Sequence, residues 1–337
     1  MRSSQVTIKD IARELGISPS TVSRALKDHP DISTYTKQAV KELAEKLSYQ
    51  PNAIALSLKH SKSFTLGVII PETVHFFFSS VISGIEDIAY SAGYNIMICQ
   101  SNELYSRERS NANMLFSNRV DGLLISLSKE TKNLDHIRFF QDNNIPVVFF
   151  DRGTNELECD QVIIDDYKAA YQITEYMLGR GYKNIVHLAA PQNLDIGLKR
   201  KMGFRDALIQ NGFQYNESQV ILADKFDEAQ QAVSQIIQQG KVTDGIFAVN
   251  DLTALGAMRA LKKFNYQIPG DVGVAGFGNG QNAELTDPPL TTVNQNGYNM
   301  GKKAAEIILK RITYGAENCI AQKHFIETEL VIRESLK

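Results

Sequence analysis

The polar side chains of residues 19–27 are of the types that read a DNA duplex. Ser20, Thr21, Ser23 and Arg24 stand there beside apolar residues. An arginine can donate two parallel hydrogen bonds to the O6 and N7 atoms of guanine, and hydroxyl groups can donate to phosphate oxygens. We therefore predict that residues 19–27 form a helix that lies in a DNA major groove.

Other residues could support catalysis or cofactor binding, but each has a structural alternative. The stretch GFGNGQ at 276–281 approaches a dinucleotide-binding motif, yet Gln281 stands where that motif needs its third glycine. The six histidines lack metal-ligand spacing. Asp165 and Asp166 could be paired catalytic carboxylates, although acids also suit the first turn of a helix. We predict no catalytic residue, no metal and no cofactor. An enzyme is the alternative class, and a sugar-binding protein without DNA is a third.

Helices predicted from apolar spacing position the polar side chains. One face of a first helix carries residues at i, i+3, i+4 and i+7, namely Ile8, Ile11, Ala12 and Leu15. Thr7 can cap this helix, and Gly16 can take the positive φ that ends it. Ser18 can cap the second helix, whose buried side is Val22, Ala25 and Leu26. A third helix follows within 34–47, so the three helices can share one small core.

Four ordered motifs resemble the lactose-repressor (LacI/GalR) family of bacterial regulators. They are Thr7-Ile8-x-Asp10-Ile11-Ala12, Gly16-Ile17-Ser18, Thr21-Val22-Ser23-Arg24 and Tyr49-x-Pro51-Asn52. The resemblance implies a dimeric, sequence-specific transcription regulator, expected to be a repressor, on a palindromic operator. The expected base contacts are Pro19, Ser20 and Arg24. The expected phosphate contacts are Thr7, Ser18, Thr21, Ser23 and Asn52.

A short hinge is predicted between the head and the rest of the chain. Residues 53–58 are helix-prone, but so short a helix is unstable alone, because isolated helices need roughly 12–15 residues. By resemblance, Leu58 wedges into the minor groove beside Lys59, and DNA would order the hinge. Packing of Leu58 against the chain's own core is the alternative.

Composition and charge fit a small DNA-binding head on a larger regulatory body. The chain has 337 residues and is 43% apolar, which allows two or three domains. Residues 1–62 carry a formal charge of +4. Because the whole chain has a net charge of −2, the remaining residues carry −6. The start of the sequence lacks an apolar signal segment and no run is long enough to span a membrane, so we expect a cytoplasmic protein. The three cysteines are expected to be thiols.

From Phe64 onwards, apolar strands alternate with amphipathic helices, which predicts βαβ units around parallel sheets. The two halves are alike: the glycine pairs Gly84 and Gly93, and Gly203 and Gly212, have the same spacing. The expected fold is an all-α helix-turn-helix head plus an α/β core of two similar lobes. The resemblance adds that this core is like that of periplasmic binding proteins.

The predicted boundaries follow from these elements. The head is 1–49, the hinge and linker are 50–63, and the core is 64–337. Within the core, the N-lobe is placed at about 64–164 and 293–322. The C-lobe is placed at about 165–292 and 323–337, so that the crossovers lie near 164, 292 and 322.

A small molecule is expected in the cleft between the lobes, where polar residues follow the strands. The candidates are His75, Phe77, Ser126, Asp151, Arg200, Asn250, Asp251 and Asn279. Arg200 is similar to the family's effector-binding arginine, and a structural salt bridge between helices is its alternative. Phe77 could equally be a core or dimer contact. The resemblance makes a sugar or sugar derivative the expected ligand.

One position departs from the family pattern. The family usually has an aspartate after a glycine and an aromatic residue, but here Gly278 follows Gly276 and Phe277. Asn279 could substitute from another direction, although an amide donates as well as accepts. The usual sugar-binding geometry therefore cannot be transferred directly to this chain.

Overall fold

The computed structural model describes residues 6–49, 62–315 and 320–337. The chain forms two compact units, Met1–Phe64 and Thr65–Lys337. The predicted hinge, with Asn52, Leu58 and Lys59, lies outside the described residues. No helix in the described ranges is both long and apolar enough to cross a membrane.

The head consists of three helices around a small apolar core. They are α1 (Ile8–Leu15), α2 (Pro19–Leu26) and α3 (Thr34–Lys46). The buried residues come from all three helices: Ile11, Ala12, Val22, Ala25, Val40, Leu43 and Ala44. Apolar residues at helical spacing on each helix therefore meet in one cluster, and the predicted helix-turn-helix is confirmed.

Local capping fixes the turn between α1 and α2. Gly16 ends α1 with a φ of 64°, the left-handed conformation that glycine adopts readily. The Ser18 hydroxyl accepts a hydrogen bond from the Thr21 amide at 3.1 Å. Thr7 forms a capping box with Asp10 at the start of α1, and its hydroxyl also donates to Asp10 Oδ2 at 2.7 Å. The Asp10 carboxylate also accepts from the Thr7 amide at 3.0 Å, so it ties down the start of α1.

The core alternates strands and helices along the chain. Its strands are β1 (Thr65–Ile70), β2 (Asn95–Gln100), β3 (Gly122–Ile125), β4 (Val147–Phe150), β5 (Asp160–Ile163), β6 (Ile185–Ala189), β7 (Val220–Leu222), β8 (Gly245–Ala248), β9 (Gly273–Phe277), β10 (Thr291–Asn294), β11 (Lys323–Phe325) and β12 (Glu329–Val331). Its helices are α4 (Phe76–Ser91), α5 (Tyr105–Ser117), α6 (Asp135–Asp142), α7 (Asp166–Gly179), α8 (Asp195–Gln210), α9 (Phe226–Gln238), α10 (Asp251–Lys263), α11 (Asn282–Leu285) and α12 (Gly297–Tyr314).

The strands form two sheets, one in each lobe. The order in the first lobe is β11-β5-β4-β3-β1-β2, and every pairing is parallel. The order in the second lobe is β12-β10-β9-β8-β6-β7, in which only the pairing of β12 with β10 is antiparallel. Strands β3, β4 and β8 are buried along their whole length. Helices on both faces explain why these strands read as unbroken apolar runs.

The repeated glycines lie where helices touch at backbone distance. A Cβ at Gly84 on α4 would collide with the Tyr298 carbonyl oxygen of α12. A Cβ at Gly203 on α8 would collide in the same way with the Tyr167 carbonyl oxygen of α7. The internal similarity of the sequence thus reflects the same close helix packing in both lobes.

Two of the three crossovers lie later in the chain than predicted. Strand β10 runs to Asn294 in the second sheet, so the chain returns to the first lobe after Asn294, a few residues later than the predicted position near 292. Strand β11 pairs with β5 in the first sheet, so the last crossover lies between Phe325 and Glu329 and not near 322. No residue of β11 is fully buried. The sequence of β11 therefore carries no burial signal that could assign it to a lobe.

Candidate functional site

The head presents a polar face on α2. Pro19, Ser20 and Arg24 are exposed, and the neighbouring Thr7 and Ser18 are exposed as well. Ser20 and Arg24 are four residues apart, which places them on the same side of a helix. The three residues predicted to contact bases are thus accessible together.

The hydroxyl groups at the start of α2 contact one another. Ser18 Oγ lies 2.7 Å from Ser20 Oγ and 2.8 Å from Thr21 Oγ1. Thr21 and Ser23 are half-buried, whereas Ser18 and Ser20 are exposed. This end of the helix presents several hydroxyl groups, which can donate to a phosphate oxygen.

A cavity of about 350 Å³ lies between the two lobes of the core. The first lobe contributes residues 73–79, Lys129, Asp151 and Arg152. The second lobe contributes Arg200, Asp224, residues 249–252, residues 277–278 and 280–282, and Gln295. Six predicted ligand contacts line it: His75, Phe77, Asp151, Arg200, Asn250 and Asp251. The cavity is therefore bounded by the carboxyl ends of strands from both sheets.

Two predicted residues, Ser126 and Asn279, do not line the cavity. Ser126 is fully buried, and its hydroxyl donates to Asp151 Oδ2 at 3.3 Å. Asn279 has a φ of 53°, and its Oδ1 accepts from Arg333 Nη2 at 2.9 Å. Ser126 therefore holds the cavity residue Asp151 by a hydrogen bond without lining the cavity itself. The Asn279 side chain is directed to Arg333 instead of the cavity.

Arg200 forms the structural salt bridge that was considered as its alternative role, and it also lines the cavity. Its Nε and Nη2 donate to Asp166 Oδ1 at 2.8 and 2.7 Å, which joins α8 to α7. Its Nη1 donates to the Val249 carbonyl oxygen at 2.7 Å, and the guanidinium lies 3.7 Å from the centroid of the Phe277 ring. A guanidinium has five N–H donors, so two remain for a molecule in the cavity.

Asn250 and Asp251 lie at the start of α10, and their side chains form hydrogen bonds with other groups of the protein. Asn250 Oδ1 accepts from the Thr253 amide at 2.8 Å, as a helix cap. Asp251 accepts from Thr292 Oγ1 at 2.6 Å and from the Gly280 amide at 2.7 Å. Burial raises the pKa of the Asp251 carboxyl. Asp251 thus holds the turn after β9 and forms part of the cavity wall.

The position of Asp251 explains the glycine at 278. Gly278 has a φ of 139°, and a Cβ there would lie 3.3 Å from Asp251 Oδ2. An aspartate at 278 would bring a second carboxylate against a buried one, and its backbone conformation would be strained. Glycine at 278, where the family usually has an aspartate, is therefore the residue that fits beside the buried Asp251 carboxyl.

Asp151 is a buried carboxyl that faces the cavity, and burial raises its pKa to about 6. Arg152 and Ser126 oppose this shift, but Arg152 Nε is 3.7 Å away, beyond hydrogen-bond distance. Asp151 has a φ of 60°, a conformation that asparagine also adopts readily. Asp151→Asn would thus remove the charge without straining the backbone.

We expect the Asp151 carboxyl to make folding pH-dependent. Because its folded pKa is raised, it lowers stability progressively as the pH rises from about 4 to about 6, and the penalty is constant above that range. Asp151→Asn should raise the free energy of unfolding by about 2–3 kcal/mol at pH 7 and by little at pH 4. Urea unfolding followed by circular dichroism at several pH values measures this. A difference between the two proteins that does not change with pH would contradict the assignment.

Sequence reasoning missed several polar cavity residues, among them Lys129, Asp224 and Gln295. Gln295 follows β10 and Asp224 follows β7, so the rule that ligand contacts follow strands would have found both. Neither strand was predicted, because β7 is short and β10 was placed at a lobe boundary. Within the described ranges, no hydrogen bond engages the Gln295 amide, which leaves it available to a ligand.

Comparison with known proteins identifies two matching families. "Bacterial regulatory proteins, lacI family" matches residues 7–52, and "Periplasmic binding proteins and sugar binding domain of LacI family" matches residues 63–329. The HTH-type transcriptional repressor PurR of Vibrio cholerae is 34% identical over 333 residues, which cover 98% of each chain.

Solved structures match along nearly the whole chain. The transcriptional regulator CelR in complex with cellobiose is 27% identical with a TM-score of 0.74, covering 98% of this chain and 100% of that one. The lac repressor dimer bound to operator and the anti-inducer ONPF has a TM-score of 0.87 at 23% identity, covering 98% and 99%. This second likeness concerns the fold alone.

The combination of a helix-turn-helix head with a two-lobed core defines a DNA-binding protein with a ligand-binding core. The chain belongs to the LacI family of bacterial transcriptional regulators. It is a DNA-binding transcriptional repressor with a ligand-binding core, and this excludes the enzyme alternative. The predicted family and fold class are confirmed.

Proposed function

We propose that this repressor binds a palindromic operator as a homodimer in the cytoplasm, and that a small molecule in the interlobe cavity controls its operator affinity. The observation that carries the proposal is the cavity of about 350 Å³, lined by both lobes. A ligand that touches both lobes favours one arrangement of them over another, and only such a difference in affinity can shift the equilibrium.

A sugar or sugar derivative is the ligand class we favour. The cavity offers the Asp151 carboxylate, the Gln295 amide and two N–H groups of Arg200, and the exposed Phe76 ring supplies an apolar surface. Hydroxyl groups of a sugar donate and accept, so they can match all three polar groups. CelR, 27% identical to this chain, was solved in complex with cellobiose, which supports the same class.

The charges around the cavity favour an unphosphorylated ligand. Each cation has a carboxylate partner: Arg200 with Asp166 at 2.7 Å, Arg152 with Glu103 at 2.7 Å and Lys129 with Asp224 at 2.5 Å. Asp151 and Asp251 remain as further acids in the wall. A phosphate ester would therefore meet no free cation among the described cavity residues, and it would face two additional carboxyls.

A planar heterocyclic base is the second candidate. Relatives named PurR are 34% identical to this chain over nearly its whole length. The apolar part of the cavity wall includes Phe76, Phe77, Leu194 and Ile196. Flat aromatic ligands stack well on such rings.

The operator contacts follow from the exposed face of α2. We assign base recognition to Pro19, Ser20 and Arg24. The phosphate contacts are assigned to Thr7, Ser18, Thr21, Ser23 and Asn52. Leu58 with Lys59 is assigned to the minor groove at the hinge. Two heads in a dimer then require a two-fold operator.

A ligand screen on the full-length protein tests the proposed ligand class. Thermal unfolding is measured with neutral mono- and disaccharides, with purine and pyrimidine bases, and with the matching sugar phosphates. We expect a neutral sugar to raise the melting temperature in a concentration-dependent way. A base that does so would support the second candidate. A phosphate ester that binds more tightly than its neutral parent would contradict the charge argument.

A further inference from the structure

The two lobes contact each other at Lys129, at the edge of the cavity. Its Nζ lies 2.5 Å from Asp224 Oδ2 of the second lobe. Its carbonyl oxygen accepts from Asn193 Nδ2 of the second lobe at 2.7 Å. The Lys129 and Asp224 side chains are 22% and 8% exposed, so the ion pair is largely removed from water. Charged hydrogen bonds in such surroundings are stronger than exposed ones.

The first lobe holds the backbone at Lys129 through two acids, the half-buried Glu103 and the buried Glu108. The Lys129 amide donates to Glu103 Oε2 at 2.8 Å, and Arg152 donates to both Glu103 oxygens at 2.7 and 2.9 Å. Glu108 is fully buried and accepts from the Ser128 amide at 2.6 Å. The loop that carries Lys129 is thus fixed on both sides of this residue.

The second lobe holds Asp224 in a comparable way. The Asp224 carbonyl oxygen accepts from Asn250 Nδ2 at 2.9 Å, and the Asp224 amide donates to Glu228 Oε2 at 3.2 Å. Asn250 also caps α10. Because the backbone of each partner is already ordered by its own lobe, little backbone conformational entropy is lost when the ion pair forms.

We propose that Lys129 and Asp224 form an ionic latch that holds the two lobes closed over the cavity. The latch sets the balance between closed and open lobes before any ligand binds. It deepens the proposed function, because a ligand in the cavity would act on an equilibrium that this pair already biases. Loss of one charged hydrogen bond of this kind should lower the ratio of closed to open molecules roughly tenfold.

The test measures the distance between the lobes in the ligand-free, DNA-free protein. Spin labels are attached to cysteines at the exposed positions Ser110 on α5 and Gln231 on α9, with the native cysteines replaced by alanine. Double electron–electron resonance then compares the latched protein with Lys129→Met and Asp224→Asn. The matched control is Lys132→Met, an exposed lysine three residues later in the same loop.

Labelled chains are mixed with an excess of unlabelled chains so that distances within one protomer are recorded, and we expect a single short distance in the latched protein and in the control. Lys129→Met and Asp224→Asn should each add a longer distance, and the double variant should open no further than either single variant. Identical distance distributions in all variants would overturn the latch, and so would additive opening in the double variant. Because the readout involves no operator and no ligand, its failure is separate from a failure of the proposed function.

Discussion

Arg200→Ala is expected to lower the free energy of unfolding of the core by about 3–5 kcal/mol, because it leaves Asp166 buried without its cation. Asp166 and Arg200 are 2% and 5% exposed, so water cannot replace the lost partner. The substitution also removes the hydrogen bond to Val249 and the contact with the Phe277 ring. Urea unfolding at pH 7, followed by circular dichroism, measures the loss.

A matched control is available on the same helix. Arg205 pairs with Asp206 at 2.7 Å, but the two side chains are 40% and 22% exposed. Exposed pairs contribute about 0–1 kcal/mol, so Arg205→Ala should have a small effect. Replacing the buried pair together, as Arg200→Met with Asp166→Leu, should recover much of the loss. Equal losses for Arg200→Ala and Arg205→Ala would contradict the structural role of Arg200.

Arg24→Ala is expected to weaken binding to the cognate operator by about 1–3 kcal/mol for each head that contacts a base, and to relax preference at one base pair per half-site. The reason is that an exposed arginine on α2 can pair with guanine through two hydrogen bonds. The measurement is fluorescence anisotropy on operators that carry each of the four base pairs at the contacted position.

Arg24→Lys and Arg13→Ala serve as controls for this prediction. Lysine keeps the charge but lacks the planar pair of donors, so Arg24→Lys should lose base preference as Arg24→Ala does. Arg13 lies on α1, 3.4 Å from Asp10, and its replacement should leave base preference unchanged. If Arg24→Ala lowered affinity equally on every sequence, Arg24 would be a phosphate contact.

The architecture was largely predictable from the sequence because its elements carry strong local signals. Gly16, Ser18 and Pro19 mark the turn of the head, and all three occupy the predicted conformations. Strands such as β4 are buried on both faces, so each is an unbroken apolar run. The short strands β7 and β11 were not recognised, because neither contains a fully buried residue.

The site was predictable in its location but not in its side-chain directions. The end of a strand identified Asp151 as a cavity residue, and the resemblance of the Arg-x-x-Gly-Phe motif at 200–204 to the family identified Arg200. They could not reveal that Ser126 supports Asp151 from behind, or that Asn279 bonds to Arg333. Those directions depend on partners that are distant in the sequence. Such partners meet only when the lobe has folded.

The central proposal is tested most directly by an operator-binding titration. The affinity of the full-length protein for its selected operator is measured at increasing concentrations of the effector from the ligand screen. The proposal predicts a change in operator affinity that saturates at the concentration where the effector fills the cavity. The change should be at least fivefold, as is typical when two sites are coupled. The same operator affinity at zero and at saturating effector would contradict control of DNA binding through the interlobe cavity.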